Sequence, residues 1–268
     1  MQPEDYFSTD YARAQARFRA AAQAAQAEHI SLALAARGPH GEPLSIDIAW
    51  RGERAARRVL LHTSGLHGVE AFAGSAVQLA ALRELPAPPP GCAIVLAHVL
   101  NPYGMAWLRR ANENNVDLNR NFLADGVSQE PEETLYDKLD TLLNPPGPPA
   151  NDFFKWRLLC RAVRYGPGRL KQAIAEGQYR HPLGLFFGAQ DLQPGPAAYL
   201  NWLQRALQRA HYLFALDLHT GLGRRGGTLL FREPGLATAS ADELRAAFAR
   251  PMIEPASPSR PRSEEHTS

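Results

Sequence analysis

Cysteine is scarce in this chain: two in 268 residues, Cys92 and Cys160. That excludes a disulfide framework and a thiolate zinc knuckle. An excess of one charge is also lacking. Lys and Arg number 29 against 27 Asp and Glu, a net +2, which gives no case for nucleic-acid binding by bulk electrostatics. No apolar run approaches the ~18 residues of a membrane span, and the start, Met-Gln-Pro-Glu-Asp-Tyr, has no apolar signal region. There is no internal repeat, and the one biased tract is the proline cluster from Asn144 to Pro149. No G-x-S-x-G elbow occurs, so Ser64 in His-Thr-Ser-Gly is a weak candidate for a serine nucleophile. What remains is the expectation of a cytoplasmic globular protein with neither nucleic acid nor membrane as partner. Its oligomeric state is left open.

One domain is expected over residues 1–261. The last seven residues, Arg262 to Ser268, read R-S-E-E-H-T-S, the translation of a common sequencing adapter in one frame. They are expected to be a non-native tail on a natural frame cut near Pro261.

Hydrophobic periodicity places the elements. Ser8 or Thr9 is expected to cap a helix running to about Glu28, rich in Ala, Gln and Arg. His29–Ala35 and Leu44–Trp50, separated by a Gly- and Pro-rich turn, predict a hairpin. Arg58–Thr63, Ala93–Val99, His211–Leu218 and Gly227–Phe231 predict strands, with a helix over Glu70–Arg83. Strands separated by helices predict an α/β fold, a mixed β-sheet flanked by helices.

Three short motifs carry chemistry. His67 and Glu70 stand in H-G-V-E directly after a predicted strand, where ligands gather in open α/β sheets. Gly65 and Gly68 let the backbone turn tightly there. His219 ends a predicted strand in L-D-L-H-T-G. Two histidines and a glutamate at this spacing supply three zinc ligands and leave one position open for water, the pattern of a hydrolytic zinc site. Their ligand atoms are expected within ~4 Å of one another. Taken singly, each has an ordinary structural explanation, such as a surface His or a Glu at the positive end of a helix dipole. His62, His98 and His211 lack acidic neighbours at ligand spacing and are expected to be structural.

The third motif, V-D-L-N-R-N-F, holds Asn119 and Arg120 between apolar residues that tie it to the core. A guanidinium with a neighbouring amide suits a carboxylate ligand, and Asp117 is placed to hold the far nitrogen of His67. An Arg beside the metal would steady an oxyanion.

H-x-x-E, N-P-Y-G (Asn101–Gly104), D-L-N-R-N-F and the late D-L-H-T, in this order, resemble the zinc carboxypeptidase family, with its aspartoacylase-type deacylase relatives. G-Q-Y-R-H-P-L-G-L-F-F-G, from Gly177 to Gly188, resembles an uncharacterised bacterial branch. The resemblance implies a carboxypeptidase-like fold with its last strands missing, Zn2+ on His67, Glu70 and His219, and substrate carboxylate on Asn119 and Arg120. It implies Asp117 as support for His67 and Arg110, in preference to Arg109, as the oxyanion residue. The implied substrate is a small peptide or acylated amino acid with a free carboxylate.

One departure stands out. The family places its general-base glutamate on a strand after the last ligand, where this chain offers Glu233, Glu243 and Glu254. Glu233 lies in a predicted turn and Glu243 starts a predicted helix, so the base is expected to be absent and the chain inactive. Three functions compete: an amide hydrolase acting next to a carboxylate, an N-acyl amino acid deacylase on the same site, and a carboxylate-binding module without turnover. Gln178, Tyr179 and His181 are expected to form a packed loop.

Overall fold

The computed structural model describes residues 2–122, 133–145, 147, 153–221, 226–232 and 252–255. After a 3-10 turn at Pro3–Tyr6, helix α1 (Tyr11–Ala24) leads into the hairpin β1 (Glu28–Arg37) and β2 (Pro43–Gly52). The cap of α1 is Asp10, whose carboxylate accepts the Arg13 N–H at 2.8 Å, rather than Ser8 or Thr9. Strand β3 (Arg58–Ser64), helix α2 (Ala71–Glu84) and strand β4 (Cys92–His98) follow as a crossover unit. Then come the short helices α3 (Pro102–Ala106) and α4 (Asp140–Leu143), helices α5 (Phe154–Tyr165), α6 (Pro167–Ala175) and α7 (Pro194–Ala206), and strand β5 (Tyr212–Leu218).

These form a five-stranded mixed sheet in the order β1-β2-β4-β3-β5. β1 and β4 run antiparallel to β2, while β4 and β5 run parallel to β3. Alternation along the strands separates the two cores. Ile46, Ile48, Trp50, Val95 and Ala97 face α7, where Tyr199 and Trp202 pack. Ala49 and Leu96 face α1 and α2 through Phe18, Ala22 and Leu79. The fold class is thus the expected one, α/β with helices on both faces.

The sheet ends differently from expectation. A strand was expected at Gly227–Phe231 as an edge of the one sheet; β6 (Leu229–Arg232) forms there but pairs with β7 (Met252–Pro255) in a separate two-stranded parallel sheet. The edges of the main sheet are β1 and β5, and Tyr212, Leu213 and Phe214 of β5 are exposed. Glu254 lies on β7, whereas Glu233 and Glu243 fall outside the described residues, as does the tail from Arg262. No described helix is long and apolar enough to cross a membrane.

Candidate metal centre

The site forms because two parallel strands end level with each other. Ser64, the last residue of β3, is the register partner of Leu218, the last of β5. The loops that leave these ends carry His67–Glu70 and His219. Gly65 turns the first loop with a φ of +66°, a conformation that costs L side chains energy. Gly68 lies flat on α3: a Cβ there would sit 2.0 Å from the Gly104 carbonyl carbon. α3 is in turn fixed by Asn101, whose Oδ1 accepts the Gly104 N–H at 2.8 Å and whose Nδ2 donates to the Arg110 carbonyl at 3.0 Å. The Gly68 N–H reaches that same carbonyl at 3.2 Å. N-P-Y-G is thus the platform on which H-G-V-E rests.

One donor atom from each of His67, Glu70 and His219 lies within 4.8 Å of the other two, somewhat wider than the ~4 Å that bond lengths of ~2.0–2.2 Å require. His67 Nδ1 faces Glu70 Oε1 at 2.7 Å, and His219 Nδ1 faces Glu70 Oε2 at 3.7 Å. The two imidazoles meet edge to face, with centroids 5.0 Å apart. Each ring is held from behind by an aspartate: His67 Nε2 lies 3.2 Å from Asp117 Oδ1, and His219 Nε2 lies 2.7 Å from Asp217 Oδ2. Two imidazoles backed by carboxylates, with a third carboxylate between their forward nitrogens, suit a divalent metal.

The electrostatics follow from this crowding. Burial pushes the Asp117 carboxyl up, but hydrogen bonding to His67 and the Arg120 and Arg110 charges outweigh it, leaving Asp117 well below the usual carboxylate range. Burial likewise opposes protonation of His67, yet Asp117 and Glu70 together raise its pKa above that of a free histidine. Glu70 is held low, against its burial, by His67 and by the Thr220 N–H, which donates to Oε2 at 2.5 Å.

The remaining expected residues divide. Arg110 borders the site: its Nε donates to Asp117 Oδ2 at 3.0 Å, its NH1 lies 3.9 Å from Glu70, and its side chain is 27% exposed. Arg109 turns aside to Asn115. Arg120, expected to meet the substrate, is only 3% exposed. Its guanidinium donates to Asp117 and to the carbonyls of Ala175 and Glu176. Asn119 is half-buried, with its backbone N–H on Asp117 Oδ1. Ser64 is fully buried against Gln78, which leaves it unsuited to attack a substrate.

Two contributors were missed in the sequence. Asp217, near the end of β5, reaches forward to His219 in the loop that follows, and Thr63 Oγ1 fixes it from β3 at 2.6 Å. Phe186 lies beneath both guanidiniums, 4.9 Å from Arg110 and 5.1 Å from Arg120. Its position had no periodic signal, because it sits in the Gly177–Gly188 loop at a φ of +54°. Within that loop Gln178 is buried on the His181 carbonyl, and the Tyr179 hydroxyl donates to the Arg120 carbonyl at 3.0 Å.

Fold and site together define an α/β protein of carboxypeptidase-like architecture with a His-Glu-His cluster at the carboxyl ends of its parallel strands. The chain belongs to the family described as protein of unknown function (DUF2817), whose sequence model matches residues 7–267. Comparison with curated proteins gives no match. Among solved structures, thrombin-activatable fibrinolysis inhibitor is similar at a TM-score of 0.50 and 12% identity, over 95% of this chain and 61% of that one. Carboxypeptidase A from Helicoverpa armigera gives 0.47 and 14%, over 88% and 50%. Murein-tripeptide amidase from Escherichia coli O157 gives 0.40 and 19%, over 85% and 72%. The chain therefore spans about half the length of the Helicoverpa protein.

Proposed function

We propose that this protein is a zinc-dependent hydrolase acting on an amide bond next to a free carboxylate, in a small peptide or an N-acylated amino acid. The observation that carries the reading is the convergence of His67, Glu70 and His219, with Asp117 and Asp217 fixing the far nitrogens of the two imidazoles. Three protein ligands leave one coordination position open. When bound, zinc supplies Lewis-acid chemistry to a carbonyl and to water.

The chain's own residues supply the rest. Arg110 reaches solvent beside Glu70 and is assigned to the substrate oxygen that gains charge. Asn119, half-buried, is assigned to the substrate carboxylate. Arg120, buried on Asp117, acts through that carboxylate, which it holds in place for His67. We assign no general base. Among the described residues, the carboxylates that touch the two histidines are Glu70, Asp117 and Asp217, and each already holds an imidazole. This favours binding without turnover as the second reading for the chain itself. A deacylase and a peptidase would use the same groups and differ in pocket shape.

Calorimetry with an N-acyl amino acid tests the proposal. Binding is expected with zinc, lost on chelation, and weakened in the matching primary amide. Equal binding of acid and amide would reject the carboxylate assignment.

A further inference from the structure

Helix α5 shows an unusual face. Trp156, Leu159, Cys160 and Val163 recur at the i, i+3, i+4, i+7 spacing of one helical stripe, and that stripe points outward. Trp156 is 65%, Leu159 52% and Val163 81% exposed, with Phe153 at the helix start 77% exposed. The opposite side, Leu158, Arg161, Ala162 and Tyr165, is the half-buried one. The more apolar face of this helix is therefore turned away from the protein. Lys155 borders the stripe on one side, with Arg157 and Arg164 on the other. From residue 153 to 175 the sequence has six Lys or Arg and no Asp or Glu, although the whole chain is nearly neutral.

We propose that α5 docks on an anionic lipid bilayer, lying in the plane of its surface. An apolar stripe flanked by cations makes two demands of a partner, an apolar interior and a negatively charged border, and an anionic bilayer supplies both. The Trp156 ring, amphipathic itself, suits the headgroup level. A second copy of the chain fits less well, because pairing α5 with α5 would bring like charges together. This mode of attachment needs one short helix rather than the ~18 apolar residues of a membrane span. The inference is independent of the metal site.

Vesicle co-sedimentation of the full chain tests it. Phosphatidylcholine vesicles containing phosphatidylglycerol are expected to bind the protein, and pure phosphatidylcholine vesicles to bind it weakly. Binding should fall as added salt shortens the ~10 Å screening length. Trp156→Ser with Val163→Ser, at exposed positions that leave folding intact by circular dichroism, should weaken partitioning about tenfold or more, and Lys155→Glu with Arg164→Glu likewise. An environment-sensitive dye on Cys160, in a Cys92→Ser background, should shift to the blue on binding. Failure of the wild-type chain to bind, equal binding to neutral vesicles, or undiminished binding by the Trp156/Val163 variant would each overturn the proposal. So would self-association that the same variant abolishes, since it would assign the stripe to a second copy.

Discussion

Asp117 Oδ1 lies 3.2 Å from His67 Nε2, and its Oδ2 receives the guanidiniums of both Arg110 and Arg120. One buried carboxylate therefore orients a candidate metal ligand and binds the two arginines that frame the site. Asp117→Asn keeps the shape and removes the charge. Zinc affinity is expected to drop about 10–100-fold, as is typical when an outer partner of a ligating histidine is lost. Unchanged affinity in a zinc-competition titration would detach Asp117 from the centre.

Arg110 and Arg120 should separate experimentally. Arg120 is buried with its partner, and truncating one side of a buried pair leaves an uncompensated charge. Arg120→Ala is expected to cost about 3–5 kcal/mol of stability in denaturant unfolding. Arg110→Ala, at a partly exposed side chain, should leave the unfolding midpoint near wild type while weakening N-acyl amino acid binding. The reverse pattern would return the substrate contact to Arg120.

Gly68 has no room for a side chain, because the Gly104 and Met105 backbone occupies the space. Gly68→Ala must push the His67–Glu70 loop away from α3, at a cost of about 1–3 kcal/mol or more. Since this residue lies between two ligands, zinc affinity should fall with stability. A variant of wild-type stability and zinc affinity would show that the close approach is not maintained.

Much of this arrangement was legible in the chain. His67, Glu70 and His219 each follow a strand of strong apolar pattern, and the parallel register of β3 with β5 brings those ends together. The hairpin and the β3-α2-β4 unit follow from alternation and turn residues. The position of β6 outside the main sheet was not legible, because strand order depends on long-range pairing that a local pattern does not encode. Nor was the burial of Arg120. Its acceptors, the carbonyls of Ala175 and Glu176 at the end of α6, and the Phe186 ring that lies against it are all more than fifty residues further along the chain.

His98 should give the fold a measurable acid sensitivity. It is fully buried between Ser75, whose Oγ is 2.9 Å from Nε2, and the stacked ring of Phe18. Burial pushes its pKa down from 6.5 to about 4. Below pH 6.5 the unfolded chain takes up a proton that the folded imidazole refuses until about pH 4. This contribution to stability is therefore intact above pH 6.5 and falls as pH drops to about 4, by about 3 kcal/mol in all. Urea unfolding across that window should show a shallower decline for His98→Asn than for wild type. Parallel declines would contradict the assignment.

Zinc stoichiometry tests the central claim most directly. Elemental analysis of the purified chain, reloaded with zinc and desalted, is predicted to give one ion per chain. His67→Ala, Glu70→Ala and His219→Ala, each checked for folding, are predicted to fall well below that value under the same protocol. One zinc per chain retained in all three folded variants, or none in the folded wild type, would contradict a metal centre on His67, Glu70 and His219.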